Sequence, residues 1–237
     1  MTITLKSLQT IDEGAMKSAM AIKQYDLKNR KKFPHIPTRI IDNFFDTPQG
    51  WRAWGLDQEY ETSKDGTWPG MRTRPINEID NDMFERFAKK LLEVSPEFKG
   101  FTNLVVQYHL VDETYIKGWV HDDDPFLDLV GIIYLNKNAP VGSGTTLYAD
   151  QYDMSADKYR GYFKEDVLFS DAEGRKKLSD ARDDHRTYFR PTMEIENVFN
   201  RCVIYDPRVW HSPNNYFGKT KEDSRLTLVF FAQGVKK

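Results

Sequence analysis

The sequence predicts a mainly β protein, a sheet sandwich or barrel with helices packed outside. Three observations carry this. From residue 101 onward, the runs FTNLVVQYHLV, LVGIIYLN, TTLYAD, RCVIYDP and RLTLVFFAQ are short, rich in β-branched and aromatic residues, and separated by turns. Two stretches with helical spacing precede them, and helices followed by many strands suit a sheet core with helices outside. The chain has 237 residues, 39% hydrophobic and 14% aromatic, enough for one domain with a sizeable core.

Taken in order, residues 1–38 read as a lysine-rich polar arm, in which the cluster Lys28, Arg30, Lys31 and Lys32 reads first as solvated and second as a contact for an acidic partner. RIIDNFFDTPQGW reads as a short strand and then a helix, with Asp46 or Thr47 as its cap and Pro48 in its first turn. DGTWPGMRTRP is turn-rich, punctuated by Gly66, Pro69, Gly70 and Pro75. Phe84, Phe87, Leu91 and Leu92 have helical spacing behind a start signal at Asp80 or Asn81. The strands follow, interrupted by a charged, partly helical insertion at about 151–191, of a length often found in a lid or binding loop. The expected organisation is thus an arm over 1–38 and a single domain over 39–237 that carries the insertion.

Composition narrows the function classes. A formal charge of −2, from 34 basic and 36 acidic residues, gives no global attraction to nucleic acid or an anionic membrane. The lone cysteine, Cys202, excludes an internal disulfide and fits a reducing compartment. No apolar run approaches the ~20 residues of a membrane span, and MTITLKSLQTIDEG does not read as a signal peptide. A cytoplasmic protein without a membrane partner is expected.

The stretch WVHDDDPFLDLVGIIYLN carries chemistry. Asp-Asp-Asp-Pro is good turn chemistry by itself. In an extended chain, however, positions i and i+2 share a face, so His121 and Asp123 point the same way while Asp122 points away. Of the remaining histidines, His35 lies in the arm, His185 in the insertion and His109 inside a strand beside Tyr108. His211 follows a buried-looking strand in CVIYDPRVWHSP, which makes His121, Asp123 and His211 the best set. Two histidines and a carboxylate form a facial triad suited to non-haem Fe(II) oxygen chemistry. Arg225 opens the apolar strand RLTLVFF and shares a face with Thr227 and Val229. A guanidinium there needs a partner, and its fork suits a carboxylate.

VVQYHLVDETYIKGWVHDDD, VGIIYLN, GSGTTLY, CVIYDPRVWHSP and SRLTLVFF together resemble, in their order, the Fe(II)- and 2-oxoglutarate-dependent dioxygenases, in particular the prolyl-hydroxylase-like branch, and IDNFFDTPQGW and WPGMRT look like the helical front ends of its bacterial or phage members. The resemblance covers roughly Asn103 to Phe231 with the insertion excepted. It implies a double-stranded β-helix (jelly-roll) core with flanking N-terminal helices. It implies that His121, Asp123 and His211 hold Fe(II), and that Arg225 binds the distal carboxylate of the cosubstrate 2-oxoglutarate, with Thr227 beside it. Tyr134 would add a phenolic hydrogen bond, Tyr108 would line the other end of the cosubstrate, and Asn136 would be structural. The implied reaction uses dioxygen to hydroxylate a C–H bond of a peptide, amino acid or small metabolite.

The chain departs from the pattern at two places. The interval from His211 to Arg225 is long, and NNYFGKTKED within it looks like an extended hairpin turn. The insertion leaves the substrate class open. Trp68, Arg72, Trp119 and Trp210, with Tyr152, Tyr159 and Tyr162 of the insertion, read first as packing and second as a pocket lining. The rival reading from another class is a non-catalytic, cupin-like jelly roll that binds a metal or ligand. Such a module has no need of Arg225 and Tyr134.

Overall fold

The computed structural model describes residues 36–63, 68–124, 126–150 and 171–237. Chain order runs β1 (Arg39–Ile41), α1 (Pro48–Asp57), β2 (Glu61–Thr62), β3 (Met71–Arg72), the single turn α2 (Ile76–Ile79), α3 (Asn81–Glu93), β4 (Phe98–Val111), β5 (Leu129–Tyr134) and β6 (Thr145–Asp150). It continues through α4 (Ala172–Arg186), β7 (Phe189–Ile195), β8 (Cys202–Tyr205), β9 (Trp210–Pro213) and β10 (Arg225–Lys236). A seven-stranded sheet in the order β1-β8-β5-β10-β4-β3-β2 is accompanied by a three-stranded sheet, β7-β6-β9. Every pairing is antiparallel. This is a mainly β, double-stranded β-helix with helices at its N-terminal end.

Alternation along the strands sorts side chains onto two faces. Val130, Ile132 and Tyr134 of β5, Val203 and Tyr205 of β8 and Val229 of β10 pack against Leu147 of β6 and Ile195 of β7, filling the space between the sheets. The opposite face of the large sheet takes the helices. Phe230 meets Phe87 of α3 edge-on at 5.3 Å, and Phe45 stacks on Trp51 of α1 at 4.1 Å. Helix α3 starts where expected, with Asp80 accepting from the Met83 N–H at 2.9 Å. Helix α1 opens on Pro48, and its N-cap Thr47 makes no side-chain cap.

Three differences from the expected layout concern the site. Strand β7 was not expected, because FRPTMEI is exposed along most of its length and contains Pro191. It is an edge strand, and its ladder with β6 shifts register at Leu147/Tyr148, next to the proline. Residues 214–224 are not a hairpin turn, since β9 and β10 belong to different sheets and this segment crosses between them. Of the insertion, 151–170 lie outside the described residues, as do residues 1–35 of the arm. The rest of it is α4 and the start of β7. Among the described residues, no helix is long and apolar enough to cross a membrane.

Candidate metal centre and its cavity

Strand β9 and the extended segment after β4 meet through one isolated bridge. The His121 N–H donates to the His211 carbonyl at 3.0 Å, and the His211 N–H to the His121 carbonyl at 2.8 Å. The Asp123 N–H then donates to the Pro207 carbonyl at 2.8 Å. That carbonyl sits in a turn organised by the buried pair Asp206–Arg208, whose two side-chain contacts measure 2.7 and 2.6 Å. Ligand atoms of His121, Asp123 and His211 thereby come within 4.8 Å of one another.

The chemistry of this donor set fits a divalent cation. Nδ1 of His121 lies 3.0 Å from the Trp119 carbonyl, and Nδ1 of His211 lies 2.9 Å from the Val209 carbonyl. A carbonyl only accepts, so each Nδ1 carries a proton, which leaves Nε2 as the atom each ring can offer a cation. Burial, and then the neighbouring His121, hold His211 well below the ordinary imidazole value, so it is neutral. Burial also pushes Asp123 up, against the opposing pull of His121 and Arg72. The Nε2 of His211 faces Asp123 Oδ2 at 3.6 Å. Three converging acceptors in a desolvated place repel one another unless a cation joins them. The backbone carbonyls on Nδ1 supply the outer partners that orient ligating imidazoles.

These three residues line a cavity of about 460 Å³ together with Arg225, Thr145, Tyr205, Tyr216, His109 and Arg72. Arg225 is only 2% exposed, and its Nε meets no acceptor among the described residues. Its guanidinium carbon lies 5.6 Å from the Tyr134 ring centre and 5.8 Å from that of Tyr216. Asn136 fixes the backbone on both sides of it, accepting from the Leu226 N–H at 2.8 Å and donating to the Ser224 carbonyl at 2.8 Å.

The remaining expected residues divide. Tyr134 is buried beside the cavity, but its hydroxyl donates to Thr145 Oγ1 at 2.8 Å, and it is Thr145 that lines the cavity. Thr227 is buried on the Arg225 face, with its hydroxyl 3.4 Å from the His109 carbonyl. The expectation that Tyr108 lines the cavity is corrected. In register, Thr227 pairs with both Tyr134 and His109, so His109 faces inward and Tyr108 outward. The Tyr108 hydroxyl donates to the Trp51 carbonyl at 2.8 Å. Its ring lies against Gly55, where an added Cβ would collide with it. His109 lines the cavity in its place, with Nε2 2.7 Å from the Pro69 carbonyl. Thr145 and His109 had no distinct sequence signal, because their place depends on which parity of each strand faces in, whereas Trp68, Arg72 and Trp119, whose second reading was a pocket lining, line the cavity. His185 packs against Trp119 and Phe189 and does not join the three ligands.

The fold and site are those of a jelly roll with a two-histidine, one-carboxylate cluster facing an enclosed arginine. Over residues 24–232 the chain matches the Family of unknown function (DUF6445), and it belongs to that family. No curated protein matches it. Among solved structures, HygX from Streptomyces hygroscopicus, with nickel, 2-oxoglutarate and hygromycin B bound, is similar at 11% identity and a TM-score of 0.50, over 82% of each chain. A prolyl-4-hydroxylase from Pseudomonas putida aligns at 11% identity and a TM-score of 0.47, over 83% of this chain and 92% of its own. The non-haem α-ketoglutarate-dependent epimerase SnoN from nogalamycin biosynthesis aligns at 12% identity and a TM-score of 0.49, over 92% of this chain and 86% of its own. At such identities the likeness is one of fold.

Proposed function

We propose that this chain is an Fe(II)- and 2-oxoglutarate-dependent dioxygenase that hydroxylates a C–H bond of a small molecule, amino acid or peptide. One observation carries the reading: the cavity that exposes His121, Asp123 and His211 also contains a buried guanidinium, Arg225, whose Nε has no acceptor among the described residues. A metal-binding barrel without a cosubstrate has no use for such a group, and leaving one of its buried N–H groups without an acceptor costs free energy. The fold of HygX, a protein seen with nickel and 2-oxoglutarate, agrees with this.

When bound, the metal and 2-oxoglutarate supply the oxidising chemistry, in which dioxygen converts the cosubstrate to succinate and carbon dioxide and leaves an oxygen atom for the substrate. The chain's part is to bind, orient and exclude water. His121, Asp123 and His211 would hold the ion, their backbone tied by the bridge between β9 and the segment after β4. Arg225 would take the distal carboxylate through its fork. The Thr145 oxygen accepts from Tyr134, so its own proton is free to be donated to the same carboxylate. Ile132 and Val229 supply apolar walls. We further take residues 39–237 as the catalytic domain, residues 1–38 as a polar arm that precedes it in sequence, and the compartment as cytoplasmic. The competing non-catalytic reading is tested by incubating the Fe(II)-loaded protein with 2-oxoglutarate and pooled amino acids and peptides in air. Succinate formation above that of an Asp123→Ala variant supports the oxygenase, and its absence together with no binding of 2-oxoglutarate returns the site to a binding module.

A further inference from the structure

We propose that the substrate is a small carboxylic acid whose carboxylate is taken by Arg72, at a second anion subsite distinct from the one at Arg225; this rests on the reading above. WPGMR, the turn that the cosubstrate site leaves unexplained, carries it. Gly70 has φ +69°, where an added Cβ would meet the Leu110 carbonyl, so only glycine suits this position. The turn is pinned to β4 at both sides. Met71 and Arg72 pair with Leu110 and His109, and the Pro69 carbonyl takes His109 Nε2. Trp68 and Arg72 are thereby presented to the cavity together.

The Arg72 guanidinium carbon sits 4.7 Å from the Trp68 ring centre and 5.7 Å from that of Phe231. Ring contacts of this kind satisfy its faces and leave its edge N–H groups to others. Its Nε and the Trp68 Nε1–H are both buried without an acceptor among the described residues. No carboxylate among the described residues lies within ion-pair distance of it, and the acid that acts on it electrostatically is the candidate ligand Asp123. A planar cation bracketed by aromatic rings, with edge donors facing a cavity, is built for a planar anion.

Two features separate this subsite from Arg225. The Arg72 backbone lies level with Thr227 of β10, but its guanidinium approaches Phe231, four residues further along the same face, whereas Arg225 lies two residues the other way. Each also has its own aromatic neighbours, Tyr134 and Tyr216 for Arg225 but Trp68 and Phe231 for Arg72. A cavity of about 460 Å³ lies toward the small end of ligand sites, with room for the cosubstrate and a molecule of amino-acid size. Arg72 and Asp123 line the same cavity and act on one another electrostatically, which places the bound acid's carbon skeleton on the side of the candidate metal.

The test uses full-length protein loaded with Mn(II) and 2-oxoglutarate. The probes are the twenty free amino acids with lactate and pyruvate, and in a parallel arm the corresponding primary amides. Proton relaxation of each probe reports its approach to the paramagnetic ion. The expected result is at least one acid relaxed tenfold or more above its own amide. That excess should be lost in Arg72→Gln and partly retained in Arg72→Lys, with the rise in Tm caused by 2-oxoglutarate unchanged in both. Acids and amides relaxed alike, no acid relaxed at all, or an excess that survives Arg72→Gln would each overturn the subsite. The acid-against-amide comparison in the wild type needs no variant to fold. If 2-oxoglutarate produces no rise in Tm, the oxygenase reading falls, and the same probes with Mn(II) alone decide the Arg72 subsite separately. Loss of 2-oxoglutarate binding in Arg72→Gln but not in Arg225→Leu would make Arg72 the cosubstrate anchor and overturn the proposal.

Discussion

His121 and His211 exchange both of their backbone hydrogen bonds, at 3.0 and 2.8 Å, and hold their rings 4.3 Å apart between centres. The two ligand-bearing segments are therefore registered by backbone, independently of any ion, and the imidazoles converge because the bridge makes them direct neighbours.

The first prediction follows from that pairing. His211→Ala removes a ligand and leaves the bridge, so the protein should fold and lose Mn(II) or Co(II) binding at micromolar metal. His109→Ala and His185→Ala should bind metal as the wild type does, because His109 bonds the Pro69 carbonyl and His185 packs on Trp119. Titration calorimetry on the three variants decides it. Metal binding retained in His211→Ala, or lost in His185→Ala, removes the assignment.

The second prediction concerns the cosubstrate end. At a hundredfold excess over its dissociation constant, 2-oxoglutarate should stabilise the metal-loaded protein by about 2.7 kcal/mol. Arg225→Leu should abolish most of this while leaving metal affinity intact. Thr145→Val and Tyr134→Phe should each weaken it by roughly 0.5–1.5 kcal/mol, since the phenol acts through the threonine hydroxyl. Tyr108→Phe should leave the ligand effect unchanged and lower basal stability by a similar amount, through the lost bond to the Trp51 carbonyl. Thermal shift with Mn(II), with and without 2-oxoglutarate, separates these outcomes. A ligand-specific defect in Tyr108→Phe would contradict the register argument.

These two experiments also mark where sequence reasoning reaches its limit. His121 and Asp123 were legible because an i, i+2 pair in an extended segment shares a face whatever the strand order. Arg225 was legible because a charge opening an apolar strand demands a partner. The Tyr108/His109 choice was not, since alternation divides a strand into two faces without saying which one is inside. Only the pairing of Thr227 with Tyr134 and His109 settles that. Strand β7 was hidden for a different reason. As an edge strand it buries little, and its polar residues and Pro191 read as loop.

The third prediction is a pH dependence of the metal-free protein. Burial holds His109 and His211 well below the ordinary imidazole value, with Arg72 adding to the effect at His109 and His121 at His211. Unfolded, both titrate near ~6.5. Below about pH 6.5 the unfolded chain binds protons that the native protein refuses, so stability falls with pH, by up to about 1.4 kcal/mol per unit for each histidine. Asp123, pushed up by burial, opposes this once the pH enters its raised range, because there the native state takes up the proton first. Urea unfolding in chelator at pH 7.5, 6.5 and 5.5 should show stability level above 6.5 and declining below, with a shallower decline in His109→Gln. Stability that is constant or rises from pH 7.5 to 5.5 would show that the two imidazoles are not held neutral.

The fourth prediction concerns the buried pair in the β8–β9 turn. Arg208 makes two contacts to Asp206, and the turn they shape presents the Pro207 carbonyl to Asp123 and the Val209 carbonyl to His211. Arg208→Met leaves the Asp206 carboxylate without its guanidinium, a change that costs about 3–5 kcal/mol for a buried pair. Metal affinity should fall as well, since both backbone acceptors belong to the same turn. Urea unfolding and metal titration on one preparation measure both effects. Normal metal affinity in a destabilised Arg208→Met protein would separate the turn from the site.

The last prediction addresses the described end of the insertion. The length of the insertion is one often found in a lid or binding loop. Its residues EGRKKLSDARDD form part of α4, and that helix is tied to the segments that carry the candidate ligands. Leu178 packs with Trp119, and Lys117 pairs with Asp183 at 2.5 Å. One Arg186 nitrogen donates to the Gly118 carbonyl at 3.0 Å, to Ser212 Oγ at 2.7 Å and to the Pro213 carbonyl at 2.8 Å. Arg182 donates to the Tyr115 carbonyl at 2.6 Å. That carbonyl begins a tight turn through Ile116, a β-branched residue at φ +61°. A backbone so far from its preferred region persists only where its surroundings hold it. Helix α4 is one of those surroundings, and the turn leads directly into Trp119 and His121. Limited proteolysis should therefore spare residues 173–184 whether or not ligand is present. Arg186→Met should release the helix, admit cleavage there and weaken metal binding, while Lys176→Met, on the exposed side of α4, should do neither. Rapid cleavage of the wild type at 173–184, slowed by metal and 2-oxoglutarate, would instead make this helix a ligand-ordered lid.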